Sequence, residues 1–313
     1  MNLVILQPPT GATMAPLTVS SVLAALHGST RSFASALAVA LTLGTAALSA
    51  HADLADIQKK GVFKVATEDD YQPFNFIQDG KPVGFHADML ADLQKFVAKK
   101  GIKVQQEILP WTGLLASVAA GQYDMAYTGA LVTEERLKVF NFTPPFASAQ
   151  HYYIKRAGDK SLGDIPTLSG KTVGVQAGSA LLARLPELEA MLKKAGGKLG
   201  KVVEYPSYPE AMADLANGRL DYVIDAVVPA NTIVAAKPKV FAKGVAVSGG
   251  GFAGWPIPKN NPELLKLMTE FMGELRKSGR LAELQKKWFG EAFPSLPTEA
   301  ITNYEQFKKL AGM

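Results

Sequence analysis

The sequence reads as an α/β protein built from two α/β units joined by a two-segment hinge. Three observations carry this reading. Short apolar strands alternate with amphipathic helices along the chain. The alternation starts afresh once, near Thr172. A glycine-rich stretch at 248–254 then precedes a mostly helical stretch at 261–288, so the chain has a route back to its first unit. The 313 residues suffice for two domains with their own cores. A hydrophobic share of 48% with 19% charged residues fits a globular chain.

In order, residues 62–66 form an apolar strand. Residues 84–100 form a helix with Phe85, Met89, Leu93, Phe96 and Val97 on one face. Residues 112–120 form a second helix, ended by Gly121, and 124–127 a short strand. Thr133 caps the next helix, with Glu134 and Glu135 in a first turn whose dipole favours acid. Residues 172–175 open the second unit as a strand, and Ser179 starts its helix. Residues 209–217 are helical up to Gly218, and 221–224 are a strand. The chain divides near 144–149 and again near 243–251. Two strand-like crossings make a hinge, and the cleft beside it is the natural ligand site. The expected lobes are 53–147 with 249–290, and 148–248. Residues 291–313 form a C-terminal extension, its start loosened by Pro294 and Pro297.

The N-terminal segment 1–52 reads as a leader with a signal peptide. Arg31 precedes an apolar run over 33–48, and Ala50-His51-Ala52 supplies small residues at the two positions a signal peptidase reads. Cleavage after Ala52 starts the mature chain at Asp53, in the periplasm. The run is short for a membrane anchor, the competing reading. The chain has no cysteine, which excludes disulfides, zinc–thiolate sites, thiol nucleophiles and a lipid-modified N-terminal cysteine. A net charge of +5 is spread without a Lys/Arg block, so no nucleic-acid partner is expected. His86 and His151 are the only histidines after Ala52, with no acid–histidine spacing for a metal or a triad. The glycines of 248–254 lack the lysine of a phosphate loop. No metal or cofactor is expected.

The segment GALVTEERLKVFNFTPPF, residues 129–146, carries the chemistry. Arg136 falls at the end of the first helical turn, near free backbone N–H groups. A planar guanidinium fork beside oriented amides is a carboxylate receptor. It points to a small anionic ligand rather than a polymer or a metal.

Six segments taken together, in order, resemble the periplasmic solute-binding proteins of polar amino-acid ABC transporters, the bacterial extracellular solute-binding family 3. They are VATEDDYQPFNF (65–76), GFHADML (84–90), GQYDMAYTGALVTEER (121–136), FTPPF (142–146), VGVQAGSA (173–180) and SGRLAELQKKWFG (278–290). The resemblance implies a bilobed type II periplasmic-binding-protein fold. It implies a monomer without catalysis that closes on one amino-acid-like ligand and presents it to an inner-membrane ABC permease.

The same resemblance assigns site residues. Arg136 matches the arginine that grips the ligand α-carboxylate, a fork that lysine does not replace. Gly129 and Leu131 match positions whose backbone lines the ligand, although the family often has a hydroxyl residue where Leu131 stands. Tyr71 and Trp111 match two aromatic walls around the ligand side chain; core packing is the other reading of Trp111. Glu68 stands where the family has an acid near the ligand's amine or distal group, or is one of three adjacent surface acids with Asp69 and Asp70. Gly178, Ser179 and Ala180 match a donor loop at a helix start, with Ala180 in place of the usual threonine. Gln176 either reads a polar ligand group or is structural. Asp88 shapes its helix start rather than touching ligand.

Asp225 is the candidate clamp for the α-ammonium. The family places that acid five residues after the strand-opening aspartate, and Asp225 lies four after Asp221, with Ala226 at the fifth place. A one-residue offset in a strand reverses side-chain direction, so either a bulge restores the geometry or the clamp is altered. This departure keeps a second reading open: a cyclohexadienyl or arogenate dehydratase-like lyase, with Asp225 as a buried general acid.

Overall fold

The computed structural model describes residues Leu54–Met313. The expected signal peptide and the cleavage after Ala52 lie outside the described residues. The fold is α/β and bilobed. Helix α1 (Leu54–Lys60) leads into β1 (Val62–Glu68), followed by a small meander of β2 (Asp70–Tyr71), β3 (Asn75–Gln78) and β4 (Lys81–Val83). Next come α2 (Phe85–Ala98), β5 (Lys103–Leu109), α3 (Leu114–Ala119) and β6 (Met125–Ala126). The three long-range strands form a parallel sheet in the order β5-β1-β6. Its central strand, β1, is buried along most of its length, with Lys64 the one exposed residue, and it carries the buried polar residues Thr67 and Glu68 at its end. All five apolar residues expected on one face of α2 are buried.

Helix α4 (Glu134–Val139) then begins at Thr133, whose hydroxyl accepts the Arg136 backbone N–H at 3.2 Å. Strands β7 (Phe140–Phe142) and β8 (Ala147–Ser148) carry the chain out of this lobe. The second lobe opens with β9 (His151–Arg156) and β10 (Val173–Gln176), followed by α5 (Ala180–Ala183) and α6 (Leu185–Lys194). It continues through β11 (Val202–Tyr205), α7 (Tyr208–Ala216), β12 (Tyr222–Ala226), α8 (Val227–Ala236) and β13 (Phe241–Ala246). Its five-stranded sheet runs β11-β10-β12-β9-β13, parallel from β11 to β12 and antiparallel around β9.

The chain returns through β14 (Phe252–Ala253) and β15 (Pro256–Pro258), which pair antiparallel with β8 and β7. Helices α9 (Pro262–Lys277) and α10 (Arg280–Phe289) follow, and α10 docks on α2. Asp88 accepts Lys287 Nζ at 2.5 Å and Trp288 Nε1 at 2.8 Å, so it ties the two helices together as well as sitting in the first turn of α2. Arg280 bonds Asp92 at 2.9 Å across the same seam.

An aromatic cluster of Phe74, Phe85, Phe146, Trp255 and Phe289 fills the first lobe, with His86 among the rings. Trp255 Nε1 can only donate, and it does so to His86 Nε2 at 2.9 Å. The other ring nitrogen of His86 then donates to Asn75 Oδ1 at 3.1 Å. Burial pushes the imidazole down to about 3, so this histidine is a neutral structural relay. Among the described residues no group of His, Asp and Glu is arranged to hold a metal ion.

The C-terminal segment departs from the loosened extension read from its prolines. The Arg276 guanidinium donates to the carbonyls of Leu296 and Pro297 at 3.4 and 3.0 Å, and to Pro145 at 2.6 Å. Ile301 exchanges backbone bonds of 2.8 and 2.9 Å with Phe142. Phe307, on α11 (Tyr304–Ala311), is buried edge-on against Phe252. The prolines do not free the chain, because a long guanidinium fork reaches the carbonyls of Leu296 and Pro297. Phe307→Ala should cost about 3–5 kcal/mol in denaturant unfolding. A loss below about 1 kcal/mol would mark the segment as a separable appendage.

Candidate functional site

Sequence dictates where the site's backbone goes. Gly129 packs so closely that a Cβ there would meet the Phe74 ring at 2.7 Å and Tyr71 at 3.1 Å. Only glycine lets the 129–131 segment run against these rings. Leu131 pairs with Ala253 of the returning strand, which fixes its carbonyl, and Arg136 Nη1 donates to that oxygen at 2.7 Å. The guanidinium also lies 5.0 Å from the centroid of the Trp111 ring. A flat cation over a flat π face is a favourable pairing. Arg136 is thus half-buried and aimed out of its own lobe.

Across the cleft, Gly178 adopts φ +67°, the left-handed turn that lets β10 stop and α5 begin. Its carbonyl accepts Arg136 Nη2 at 3.2 Å. Ser179 caps α5, its hydroxyl accepting the Leu182 N–H at 3.2 Å. Arg136 therefore meets two carbonyl oxygens, where the sequence reading surrounded it with amides. Burial pushes its guanidinium down to about 10, which leaves it charged at neutral pH.

Glu68, Tyr71, Trp111, Gly129, Leu131 and Arg136 of the first lobe line one cavity. Gln176, Ser179 and Ala180 of the second line it from the other side, together with Leu181. Its volume is about 10 Å³, roughly the room for one water. The lobes close on each other here because their polar groups pair. Gln176 Nε2 donates to Glu68 Oε1 at 3.1 Å, and the Tyr71 hydroxyl donates to Asp225 Oδ1 at 3.3 Å. Thr128, unmarked by the sequence reading, donates to Asn75 Oδ1 at 3.0 Å and approaches Glu68 Oε2 at 3.4 Å. Glu68 is thereby a buried cleft acid, only 3% exposed, and not one of a set of surface carboxylates.

Asp225 lies beyond the Tyr71 ring, bordering a separate and larger chamber of about 590 Å³. The strand offset needs no bulge: β12 pairs with β9 without a shift through Val223–Ala226. Asp225 sits one residue before α8 takes over, and its carboxylate bends back to accept the Ala226 N–H at 2.7 Å. Tyr208, also missed in the sequence, stacks on Tyr71 with centroids 5.5 Å apart and planes 20° from parallel. Its only sequence signal is its place just before Pro209 at a helix start. A third space of about 280 Å³ opens between the lobes beside Asp69, Asp70, Trp111 and Glu210.

Burial sets the electrostatics. It pushes the Glu68 carboxyl up to about 7 against the opposing bonds from Gln176 and Thr128. It holds Asp225 well above the usual carboxylate range. The folded protein therefore keeps a proton on Glu68 that the unfolded chain releases near 4.5. Stability falls as pH rises from about 4.5 to about 7 and is flat in this contribution on either side. The Glu68 share is on the order of 3 kcal/mol, and Asp225 adds a loss of the same sign. Glu68→Gln should shrink the stability difference between about pH 4.5 and about pH 8 by that share in urea titrations. An unchanged difference would mean that the carboxyl ionises freely in the folded protein.

Comparison with known proteins agrees with this architecture. The family model for bacterial extracellular solute-binding proteins, family 3, matches residues 63–291. The L-cystine-binding protein TcyJ of Escherichia coli (strain K12) is 29% identical over 263 residues, covering 81% of this chain and 93% of that protein. A crystal structure of an amino acid ABC transporter substrate-binding protein, AbpA from Streptococcus pneumoniae bound to L-arginine, superposes with a TM-score of 0.65 at 26% identity. It covers 76% of this chain and 98% of its own. The ancestral amino acid-binding protein AncCDT-1, described as a precursor of cyclohexadienyl dehydratase, superposes with a TM-score of 0.64 at 27% identity, over 75% of this chain and 98% of its own. A match that runs through both lobes and both crossings identifies the chain as a member of the bacterial extracellular solute-binding proteins of family 3.

Proposed function

We propose that the protein captures an amino acid between its lobes, outside the cytoplasm, and delivers it to an ABC permease. One observation carries the reading: Arg136 reaches from the first lobe to the Gly178–Ala180 turn of the second. A carboxylate taking the place of the Gly178 carbonyl on that fork would touch both lobes at once. Only a ligand with contacts on both sides shifts the population toward closure. Asp225, which holds the Tyr71 hydroxyl, is the seat for the α-ammonium, and Tyr71 with Trp111 supplies flat walls. Residues 148–248 are the lobe that moves, and residues 1–52 are removed on export. The named ligands of relatives, cystine for TcyJ and arginine for AbpA, are all amino acids, which supports this class.

A second reading has its own support. Asp225 is a buried acid whose carboxyl is held by burial well above the usual range, and AncCDT-1 is described as a precursor of cyclohexadienyl dehydratase. Product formed from arogenate or prephenate, and lost in Asp225→Asn, would make the protein a lyase.

Thermal-shift screening with amino acids should find at least one that stabilises the protein. Arg136→Ala should weaken that ligand about 30- to 150-fold, as expected for losing a charge-assisted bond. Arg136→Lys should recover only part of the affinity, since an ammonium cannot match the fork. Binding unaffected by Arg136→Ala would remove the carboxylate grip from the reading.

A further inference from the structure

We propose that the side chain of the ligand lies in the chamber between α7 and α8, which makes the ligand an amino acid with a bulky aromatic or branched aliphatic group. The inference rests on the amino-acid reading above and adds its specificity. At the Arg136 end the cavity has room for about one water. The chamber beyond Tyr71 measures about 590 Å³, inside the usual range for small-molecule pockets. Its floor is Met212, Pro229 and Phe241, all buried, and its exposed rim includes the small residues Ala213 and Ala216.

Asp70, Gln72, Thr232 and Lys237 line the chamber in half-buried or exposed positions, while its buried end carries its best-shielded polar groups. Asp225 and Tyr71 border it there, and Tyr71 is the wall shared with the Arg136 cavity. Tyr208 is buried at 6% exposure, and its hydroxyl lies near Ser179 without a well-formed hydrogen bond. A buried hydroxyl left unpaired is unfavourable, so the site gains from a ligand group that reaches it. An ammonium on Asp225 displaces the Tyr71 hydroxyl and sits at the join between the two spaces. From that point the carboxylate extends toward Arg136 and the side chain toward the apolar floor. The stacked rings of Tyr71 and Tyr208 offer a flat wall that suits an aromatic group.

The space of about 280 Å³ beside Asp69, Asp70 and Glu210 is the alternative destination and would favour a cationic side chain. Its one buried acid, Glu68, is already held by Gln176 and Thr128. Glu210 is exposed, and Asp69 and Asp70 are half-buried, so water competes for all three.

Isothermal titration of the purified protein with phenylalanine, leucine, serine and arginine tests the proposal. Phenylalanine or leucine should bind at least about tenfold tighter than serine and arginine. Ala213→Trp fills the chamber from its exposed rim. It should weaken the bulky ligand about tenfold or more and leave serine within about threefold. Arginine as the tightest ligand, or equal weakening of all ligands by Ala213→Trp, overturns the proposal. Arg136-dependent binding without preference for bulk overturns it alone and leaves the amino-acid reading standing. Binding of none of the four overturns the proposal alone, and binding insensitive to Arg136→Ala overturns both.

Discussion

The antiparallel pairing of the two crossing segments holds the rest of the molecule in place. β8 lies against β14 and β7 against β15, and the ladder continues through Phe146 N–H to Ala253 and Ala149 N–H to Gly251. This narrow paired ribbon ties the two lobes together. The ribbon also reaches the ligand cleft. Val132 N–H bonds Phe252, Gly254 N–H bonds Ala130, and Leu131 is bridged to Ala253. The Leu131 carbonyl that steadies Arg136 is thus built onto the hinge itself. The aim of the guanidinium is set by the same backbone that joins the lobes.

Much of this was legible in the sequence, and the legible part is local. A helix face such as Phe85, Met89, Leu93 is written in spacing, and Thr133 and Ser179 act as caps through atoms three residues away. The candidate site residues beside those caps came from the family resemblance, and most of them line one cavity. What was not legible is what only the third dimension supplies. Tyr208 meets Tyr71 because α7 of one lobe faces the meander of the other, and no spacing rule links residues 137 positions apart. Asp225 looked misdirected by strand periodicity, yet β12 ends beside it and the α8 start turns its carboxylate into the cleft. The C-terminal segment looked loose because prolines were visible and the Arg276 fork that binds the Leu296 and Pro297 carbonyls was not.

Closure buries acids in this cleft without a matching cation for each. Glu68 and Asp225 both lie 3% exposed, and the single guanidinium between the lobes is occupied by carbonyl oxygens. Burial raises both carboxyls, and each is held by a neutral donor, the Gln176 amide on Glu68 and the Tyr71 phenol on Asp225. The Glu68 carboxyl, raised to about 7 by burial, holds its proton up to near neutrality. A ligand that brings its own positive charge to Asp225 changes that balance, since the acid can then ionise against it.

The rim of the cleft lends itself to optical sensing. Glu210 is exposed at the mouth of the space that both lobes share, close to Trp111 and Thr112 on the facing side. The chain contains no cysteine, so a thiol introduced there would be its sole attachment point for a dye. A fluorophore at that place would pass from water to an aromatic wall whenever the lobes meet. The same geometry that grips a metabolite would then convert its concentration into light.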